Sequence, residues 1–351
     1  AASPAPALQT GFDVFGSMNR KARKKPTSEA RKHPTLGEVF GSYRLLGELG
    51  RGGMAVIYRA EKVGSGGSVV VALKTLEPGP EEGAARRRQR FRVEIEALGR
   101  LHHDNIVKIH DSGRKGCVDY YAMDLIEGQE LAEAIENDLL TTRRKLEVFL
   151  QICAGIAHAH QQHVVHRDLK PANVLLDSEG NACIIDFGLA KLSDEDLGLT
   201  KARSVLGTPH YMAPEQVGNP KEADSRADVF ALGVLLYELL TGERPFKGET
   251  PAELTMRIIA QTPPRPSAIN LDLPPALDRI CLKALEKNVD NRYQSAGALR
   301  AEVASCLSDV LERELRRHPE RSSYVVRHQS ALLIGLALGF ALGFLVAWLW
   351  R

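Results

Sequence analysis

The chain has 351 residues, of which 44% are hydrophobic and 26% are charged, a composition typical of a globular protein. Its formal net charge is only +2, so the overall charge gives no indication of a nucleic-acid partner. The five cysteines are scattered and include no Cys-x-x-Cys pair. This pattern argues against a disulfide framework and against a zinc site.

The N-terminal residues 1–42 are polar, rich in Pro and Ala, and then basic at residues 20–25. No helical or strand period of apolar residues runs through them, so we predict a disordered tail. The basic run could contact anionic lipid, or it could simply be solvated.

The next part of the chain, from residue 43 to about 121, has short β-type patterns, of which the apolar run at residues 69–73 is the clearest. One helix is predicted from about residue 81 to 101, where Phe91, Ile95 and Leu98 recur on one face.

From residue 131 to 309 the pattern is mostly helical, with helices predicted at residues 147–160, 227–241 and 275–284. Short strands are predicted beside Asn173 and Asp186. The sequence therefore predicts an α+β protein with two lobes, a small β-rich lobe with one helix followed by a large helical lobe.

Residues 331–350 form an apolar stretch without a charged residue. At about 1.5 Å per residue it is roughly 30 Å long, the thickness of a bilayer core, so we predict one transmembrane helix. A buried core helix is the alternative. Five arginines precede the stretch, in a basic segment at 304–330, and only Arg351 follows it. The positive-inside rule then places residues 1–330 in the cytoplasm.

Three glycines of the apolar stretch, Gly335, Gly339 and Gly343, recur at every fourth position. This spacing puts them on one helix face, which is typical of helix dimers in membranes. Glycine is also common in membrane helices in general, so both a homodimer and simple lipid accommodation stay open.

A glycine-rich run, Gly50-Arg51-Gly52-Gly53, lies between two predicted strands. Glycines allow backbone amides to approach phosphate groups closely. Strand-forming residues follow the run and no Gly-Lys-Ser/Thr is present, so we expect a hairpin over phosphates and neither a dinucleotide-binding turn nor a Walker A loop.

Two charged residues fit the same chemistry. Lys74 directly follows the apolar run 69–73, and Glu94 lies within the predicted helix. Each alone reads as a surface charge, but together, after a glycine hairpin, they indicate a lysine that holds phosphate and an acid that orients it.

The strongest local pattern is His-Arg-Asp-Leu-Lys-Pro-Ala-Asn at residues 166–173. Its proline breaks a helix, which predicts a loop. Asp168 can accept a hydroxyl proton, Lys170 can neutralise phosphate, and Asn173 can bind a cation through its amide oxygen. An Asp-Phe-Gly run begins at Asp186, whose carboxylate at a strand end suits Mg²⁺.

These motifs, with Ala-Pro-Glu at residues 213–215, resemble the protein-kinase superfamily in content and order over residues 43–303. The Lys-Pro-Ala-Asn ending at 170–173 is similar to the bacterial, eukaryotic-like serine/threonine branch. Ala55 stands where the family has its third loop glycine. The resemblance implies the two-lobed protein-kinase fold.

The resemblance also implies residue roles. Lys74 would hold the α- and β-phosphates of ATP and pair with Glu94, and Asp168 would act as the base. Asp186 and Asn173 would hold Mg²⁺. The implied catalytic residues are Asp168, Lys170, Lys74 and Asn173. The implied ATP-binding residues are Leu49, Gly50, Arg51, Gly52, Gly53, Met54, Ala55, Val56, Ile57, Ala72, Lys74, Glu94, Met123, Asp124, Ile126 and Leu175.

Further positions are assigned by the same resemblance. Thr208 would hydrogen-bond the catalytic loop, Glu215 and Arg292 would form a structural ion pair, and Asp228 would brace the catalytic-loop backbone. Because Arg167 precedes the catalytic Asp168, control by phosphorylation at Thr200 or Ser204 is expected, although either could be a merely solvated hydroxyl. These two positions are the candidate phosphosites.

The sequence therefore indicates a Mg²⁺- and ATP-dependent serine/threonine protein kinase linked to a membrane, with proteins as substrates. One alternative is a pseudokinase scaffold that uses the fold only for binding. Such scaffolds typically lack one of Lys74, Asp168, Asn173 or Asp186, all of which are present. A small-molecule kinase is a further alternative, against which Thr208 and residues 213–215 argue.

Overall fold

The computed structural model of the chain describes residues 35–52, 55–64, 69–76, 84–187, 209–218 and 223–317. The chain divides into two units, residues 1–303 and residues 304–351. The predicted transmembrane stretch 331–350 lies outside the described residues, as do Thr200, Ser204 and Thr208. In the part of the chain that the structure does describe, no helix is both long and apolar enough to cross a bilayer.

The small lobe is a six-stranded antiparallel sheet with the strand order β1-β2-β3-β4-β6-β5. One helix, α1 (Ala84–Leu98), lies between β4 and β5 in the chain. The strands are β1 (Val39–Phe40), β2 (Tyr43–Arg51), β3 (Ala55–Lys62), β4 (Val70–Leu76), β5 (Ile109–Lys115) and β6 (Val118–Met123). This arrangement confirms the predicted β-rich lobe with a single helix.

The two faces of this sheet have different partners. One face buries a cluster that includes Leu45, Val56, Tyr58 and Leu73. On the other face Tyr121 of β6 packs against Phe91 of α1, with ring centroids 5.3 Å apart. Since side chains alternate along a strand, β4 and β6 present every second residue to α1 and to the site described below.

Strand β1 differs from the sequence expectation, which placed all of residues 1–42 in a disordered tail. Val39 and Phe40 pair with Arg44 and Tyr43 of β2. Phe40 is buried and lies edge-on to Tyr120. Two strand residues are too few to give a periodic signal, so the end of the predicted tail was placed too late in the chain.

The large lobe is mostly helical and contains a small antiparallel sheet in the order β7-β8-β9. Its strands are β7 (Gly128–Glu130), β8 (Val174–Asp177) and β9 (Ala182–Ile184). The helices are α2 (Leu131–Glu136), α3 (Thr142–Gln161), α4 (Pro214–Gly218), α5 (Ser225–Thr241), α6 (Pro251–Ala260), α7 (Pro275–Ala284) and α8 (Ala296–Arg317). The predicted helical lobe is confirmed.

Helix α5 forms the centre of this lobe, and nearly all of its residues are buried. A helix that is apolar on every side is buried in a core, which explains its position between α3 and α7. Gly233 allows the close approach of α7, because a Cβ atom there would lie 2.8 Å from the Cβ of Ala284. The helix ends at Gly242 in the left-handed conformation, a common helix stop.

Candidate active site

The described part of the glycine-rich run, residues 50–52, lies at the end of β2, and β3 follows as the antiparallel partner, as predicted for a hairpin. Gly50 pairs with Ile57 and Arg51 with Val56, and the Gly52 amide donates to the Ala55 carbonyl oxygen at 2.8 Å. Two of the predicted ATP-binding residues, Gly53 and Met54, lie outside the described residues. No helix follows the turn, because β3 begins at Ala55.

Four residues predicted to bind ATP, together with Tyr121, occupy adjacent rows on one face of the sheet. Ile57, Lys74 and Tyr121 are cross-strand neighbours, and Ala72 pairs with Met123 in the next row. Directly opposed side chains of an antiparallel sheet share a face, so these five face the same side. Asp124 and Ile126 follow β6, and Leu49 lies near the end of β2 and Leu175 in β8.

Val56 is an exception among the predicted ATP-binding residues. Its side chain belongs to the core cluster on the opposite face of the sheet, with Tyr58 and Leu73. Because residues alternate along β3, its neighbour Ile57 is the one that shares a face with Lys74. The Val56 side chain therefore faces away from Lys74, so any contribution of Val56 to ATP binding would come from its backbone in the hairpin.

Lys74 connects two acidic residues of the site, Glu94 and Asp186. Its Nζ atom lies 2.8 Å from Glu94 Oε1 and 2.6 Å from Asp186 Oδ1. Burial by itself disfavours the charged amine, but the carboxylates of Asp186 and Glu94 outweigh it and hold the pKa of Lys74 well above its ordinary value. The lysine is therefore a fixed positive charge at neutral pH.

A tyrosine that the sequence did not single out completes this arrangement. The Tyr121 hydroxyl donates to Glu94 Oε1 at 2.9 Å, the same oxygen that accepts from Lys74. Burial, together with the nearby Glu94 carboxylate, raises the pKa of Tyr121 well above its ordinary value, so its proton is retained. The sequence signal that could have identified Tyr121 was its place in β6: residues alternate along a strand, and Tyr121 shares a face with Lys74, its partner on β4.

The catalytic-loop motif brings three predicted residues together. Lys170 Nζ lies 3.2 Å from Asp168 Oδ2. The Asn173 amide nitrogen donates to the Asp168 carbonyl oxygen at 2.8 Å and approaches the Asp186 carbonyl oxygen at 3.4 Å. The Ile185 amide donates to the Asn173 carbonyl oxygen at 2.9 Å. The loop and the Asp-Phe-Gly segment are therefore joined directly.

Asp228, predicted to brace this loop, accepts hydrogen bonds from the backbone amides of His166 and Arg167 at 2.7 and 2.8 Å. Arg167 has a φ of 65°, a left-handed conformation that is uncommon for a residue with a side chain and often marks a functional site. His160, which the sequence did not assign, lies 2.8 Å from Asp228 Oδ2 and acts as a third donor.

Burial would raise the pKa of Asp228, but the hydrogen bond and charge of His160 and the backbone amide of Arg167 outweigh it and lower the pKa. The His166 ring packs against the Phe187 ring at a tilt of 35°, with ring centroids 4.5 Å apart, and burial lowers the pKa of His166. At neutral pH the site therefore has a charged carboxylate under the loop and a neutral imidazole beside Phe187.

The chemistry of Asn173 and Asp186 fits a magnesium ion. The Asn173 amide directs its nitrogen toward protein oxygens, which leaves its side-chain oxygen as a ligand, and Asp186 adds a carboxylate. Among the described residues, no group of three His, Cys, Asp or Glu side chains could hold a metal ion. Two protein oxygens suit Mg²⁺, which usually keeps waters and phosphate oxygens as its other ligands.

Glu215 and Arg292 lie together as predicted for a structural pair. Arg292 places its two terminal nitrogens 2.8 and 3.2 Å from the Glu215 carboxylate oxygens. The Arg292 side chain is fully buried and also donates to the carbonyl oxygens of Arg226 and Glu286. The pair connects α4 to the large-lobe core, and it is distant in sequence from the catalytic loop.

Comparison with known proteins agrees with the fold. A family model described as a protein kinase domain matches residues 43–304. Since the match covers well over half of the chain, the chain belongs to the protein kinase family.

Its relatives include bacterial enzymes. The chain is 36% identical over 266 residues to serine/threonine-protein kinase PrkC of Bacillus subtilis, across 76% of this chain and 40% of that protein. It is 36% identical over 313 residues to serine/threonine-protein kinase Pkn1 of Myxococcus xanthus, across 87% of this chain and 44% of that protein. The chain thus spans about two fifths of the length of these relatives.

A solved structure gives the same result. The crystal structure of the Mycobacterium tuberculosis PknI kinase domain matches with a TM-score of 0.60 at 26% identity, covering 78% of this chain and all of that domain. The predicted two-lobed kinase fold and the resemblance to the bacterial serine/threonine branch are therefore confirmed.

Proposed function

We propose that this chain is a serine/threonine protein kinase that transfers the γ-phosphoryl group of ATP to Ser and Thr hydroxyls of proteins with the help of Mg²⁺. The observation that supports it most is a continuous network of ion pairs and hydrogen bonds among the site residues. Glu94, Lys74 and Asp186 are linked by ion pairs, and Asn173 links Asp186 to Asp168. Every residue type needed for phosphoryl transfer is therefore present in one place.

In this proposal the protein acts by positioning and by charge. Lys74, oriented by Glu94, holds phosphate oxygens of the nucleotide. Asp168 accepts the proton of the attacking hydroxyl, and Lys170 beside it offsets negative charge on the group being transferred. A bound Mg²⁺, held by Asn173 and Asp186, would neutralise charge on the phosphate oxygens.

The choice of Ser and Thr hydroxyls rests on two supports. The relatives named above are serine/threonine-protein kinases, and Lys170 occupies the position next to Asp168 that such kinases use. Thr208, which the sequence also predicted to favour Ser and Thr substrates, lies outside the described residues.

The decisive test is an Asp168→Asn substitution in the full chain. Asparagine keeps the shape of the side chain but cannot accept the proton, so we expect a loss of about 10²-fold or more in phosphate transfer to a basic protein substrate. Nucleotide binding, measured with a fluorescent ATP analogue, should be retained.

The matched control is Asp272→Asn, which makes the same chemical change at an exposed position of the large lobe. Equal activity of Asp168→Asn and the unchanged chain would contradict the mechanism. A parent chain that binds nucleotide but transfers no phosphate would favour the pseudokinase scaffold.

We also propose control by phosphorylation at Thr200 or Ser204. The supporting observation concerns the Arg167 side chain: its buried Nε atom has no hydrogen-bond partner among the described residues. A phosphate would supply both charge and acceptor oxygens for this guanidinium. Replacing both hydroxyl residues with Ala should lower activity and remove the autophosphorylated peptide seen by mass spectrometry. Full activity of the double variant would contradict this part of the proposal.

The membrane part of the proposal rests on sequence alone. The apolar stretch 331–350 would anchor the chain with residues 1–330 in the cytoplasm, and Gly335, Gly339 and Gly343 would favour a homodimer. Changing the three glycines to Leu should keep the chain in the membrane fraction but lower its autophosphorylation there. Recovery of the unchanged chain in the aqueous fraction would contradict the anchor.

A further inference from the structure

Lys287 follows α7 and has an amine that the proposed phosphoryl transfer does not use. The residue is half-buried, and its Nζ atom lies 3.9 Å from the ring centre of Phe246 and 5.4 Å from that of Phe230. Both rings are buried and nearly parallel, with centroids 6.1 Å apart. The negative faces of aromatic rings attract an ammonium group, which explains why a lysine is tolerated against this core.

The same amine also binds the end of a helix. Lys287 Nζ donates to the Ile258 carbonyl oxygen at 2.5 Å. Ile258 lies in the last turn of α6, where carbonyl oxygens have no amide partner within the helix. A positive charge at this end interacts favourably with the helix dipole. Lys287 therefore connects the segment after α7 to the C-terminal turn of α6.

The positive charge of Lys287 is not matched by an acid. In the part of the chain that the structure describes, no carboxylate forms an ion pair with its Nζ atom. Burial, and after it the positive charge of Arg292, lower the pKa of Lys287 from 10.5 to about 8, and the opposing effect of Glu286 is smaller. At neutral to slightly alkaline pH, roughly a tenth to a quarter of the Lys287 side chains are then neutral amines, against about 0.1% or less of ordinary lysines.

Lys283, on α7, shows what Lys287 lacks. Its Nζ atom also lies over an aromatic ring, 4.2 Å from the centre of Tyr293. It has a carboxylate partner as well, because the same atom is 3.5 Å from Glu302 Oε1. The two lysines share the aromatic contact and differ in the acid, so Lys283 is an internal control for the reactivity of Lys287.

The neighbouring cation favours a loss of charge at Lys287. The Arg292 guanidinium lies 5.0 Å from the centre of the Phe230 ring, and it makes five hydrogen bonds, to Glu215 and to backbone carbonyl oxygens. An amide in place of the Lys287 ammonium would keep one N–H for the Ile258 carbonyl oxygen. It would also remove a positive charge beside Arg292 and place an apolar acyl group against aromatic rings.

We propose that Lys287 is a site of Nε-acylation by a small activated acyl group, an acyl phosphate or an acyl thioester. The neutral Nζ atom attacks the carbonyl carbon, a C–N bond forms, and the bond from that carbon to the phosphate oxygen or thiol sulfur breaks. The leaving group departs with the bonding electrons and takes up the proton that the amine loses. Acylation removes the charge that binds the end of α6, so this helix should be loosened.

Acetyl phosphate and acetyl-CoA separate the two sources of the acyl group. Each is added to the full chain in mild detergent near neutral pH, and the initial rate of acetylation of individual lysines is measured by peptide mass spectrometry. We expect Lys287 to react at least about tenfold faster than Lys283 and than Lys247, an exposed lysine paired with Glu243. Such a rate with either reagent supports the proposal and identifies the source.

The pH profile distinguishes a reactive amine from a merely accessible one. The rate at Lys287 should rise up to about pH 8 and then level off, because most of the amine is neutral above that pH. The rate for free Nα-acetyl-lysine, measured in the same way, should continue to rise, since its side chain has an ordinary pKa of about 10.4.

Lys287→Arg is the matched variant, because arginine keeps the positive charge but is not acetylated under these conditions. Lys283 and Lys247 should react in it as in the parent chain. Hydrogen exchange over residues 251–260 should become faster when the parent chain is acetylated and stay unchanged in the treated variant. The comparison of lysines within the parent chain does not depend on the folding of this variant.

The outcomes are distinct from those of the kinase tests. A rate at Lys287 no higher than at Lys283 and Lys247, or one that still rises steadily well above pH 8, overturns the proposal. Unchanged exchange in α6 after full acetylation of Lys287 overturns the loosening of the helix. A chain without phosphotransferase activity would still give the acetylation and exchange results.

Discussion

At the scale of single residues, the candidate site depends on shared acceptors. Glu94 Oε1 accepts from Lys74 and from Tyr121, and Asp228 accepts from two backbone amides and from His160. Each carboxylate thus accepts two or more hydrogen bonds, and such pairing is the condition under which a buried charge is tolerated. Side chains that supply only a supporting hydrogen bond should therefore affect both stability and activity.

Tyr121→Phe tests this directly. Removing the hydroxyl leaves Glu94 with one donor fewer, so we expect the free energy of unfolding to fall by roughly 1–3 kcal/mol. Because Glu94 then orients Lys74 less strongly, kcat/KM for ATP should fall about threefold or more. Denaturant unfolding and steady-state kinetics measure the two effects separately.

Tyr43→Phe is the matched control, since Tyr43 also donates to a carboxylate, Asp111 at 3.2 Å, in the same sheet. It should lose stability but keep kcat/KM. Equal kinetic effects of the two variants would show that Tyr121 acts only through the stability of the lobe.

The lowered pKa of Asp228 gives a pH prediction. The unfolded chain takes up this proton near the ordinary value of 3.8, whereas the folded chain does so only at lower pH. The contribution of Asp228 to stability is therefore present above that value and is lost as the pH falls through the lowered folded-state pKa. In urea unfolding, the free energy of unfolding should decline below about pH 4.

Asp228→Asn should flatten this acid decline, and Asp272→Asn should leave it unchanged. An acid decline of equal steepness in the Asp228→Asn variant would contradict the assignment. The readout is the slope with pH, because the substitution also lowers stability at neutral pH by weakening the bonds to His166 and Arg167.

The sequence predicted the residues of the candidate site, but not the residues that hydrogen-bond to them and hold them in place. Lys74, Asp168, Asn173 and Asp186 belong to motifs with fixed neighbours, so their types and order were informative. Tyr121 and His160 act through contacts with residues 27 and 68 positions away, which no local pattern contains. Val56 was included in the predicted ATP-binding range as part of a motif, and the alternation of its strand, which turns its side chain to the opposite face, was not considered.

At the scale of elements, the small lobe begins earlier than the family match. Residues 35–42 precede the matched range 43–304, yet they include β1 and the buried Phe40. Lys115 of β5 reaches across to the Glu38 carboxylate at 2.6 Å and also bonds the Val39 carbonyl oxygen. The first strand is thereby tied to both β2 and the opposite edge strand.

Phe40→Ala tests the importance of this segment. Deleting a buried ring that packs against Tyr43 and Tyr120 should lower the free energy of unfolding by about 3–5 kcal/mol. A thermal melt should show the loss, and a chain that starts at Tyr43 should show at least as much. Val39→Ala, at a partly exposed neighbour, should stay within about 0.5 kcal/mol of the parent. An unchanged melt for Phe40→Ala would mean that β1 adds no stability.

The predicted element boundaries followed the apolar residues, so they left out helix ends made of polar residues. The helix predicted at residues 147–160 is α3, which begins at Thr142 because Thr141 caps it by accepting from the Arg144 amide. The first turn is basic and gave no periodic signal. Helix α7, with a proline at its first position and apolar residues recurring along one side, was predicted with its observed bounds.

At the scale of the whole molecule, the candidate site joins the small lobe to the large lobe through contacts between residues far apart in the sequence. Lys74 and Asp186 are 112 positions apart, and their ion pair links β4 of the small lobe to the segment after β9. Periodicity predicts strands and helices but contains no information on such long-range contacts. The family resemblance assigned both residues to the ATP site, but it did not predict the ion pair between them.

A ligand bound at this junction should stabilise the chain as a whole. With Mg²⁺ and ATP at about 100 times the dissociation constant, mass action adds about 2.7 kcal/mol to the free energy of unfolding. Chelation of Mg²⁺ should remove much of this gain, and so should Asp186→Asn. Thermal melts with ATP, with and without a chelator, measure it. An equal shift in the presence of chelator would contradict a metal held by Asn173 and Asp186.

The double ion pair of Lys74 has a consequence for any regulation of the proposed kinase activity. The Lys74 ammonium group has both of its carboxylate partners only when Glu94 of α1 and Asp186 of the segment after β9 are in place at the same time. Withdrawal of either carboxylate leaves a buried cation half compensated. Intermediate positions are therefore disfavoured, and the response to any input on α1 or on the Asp186 segment should be steep rather than graded.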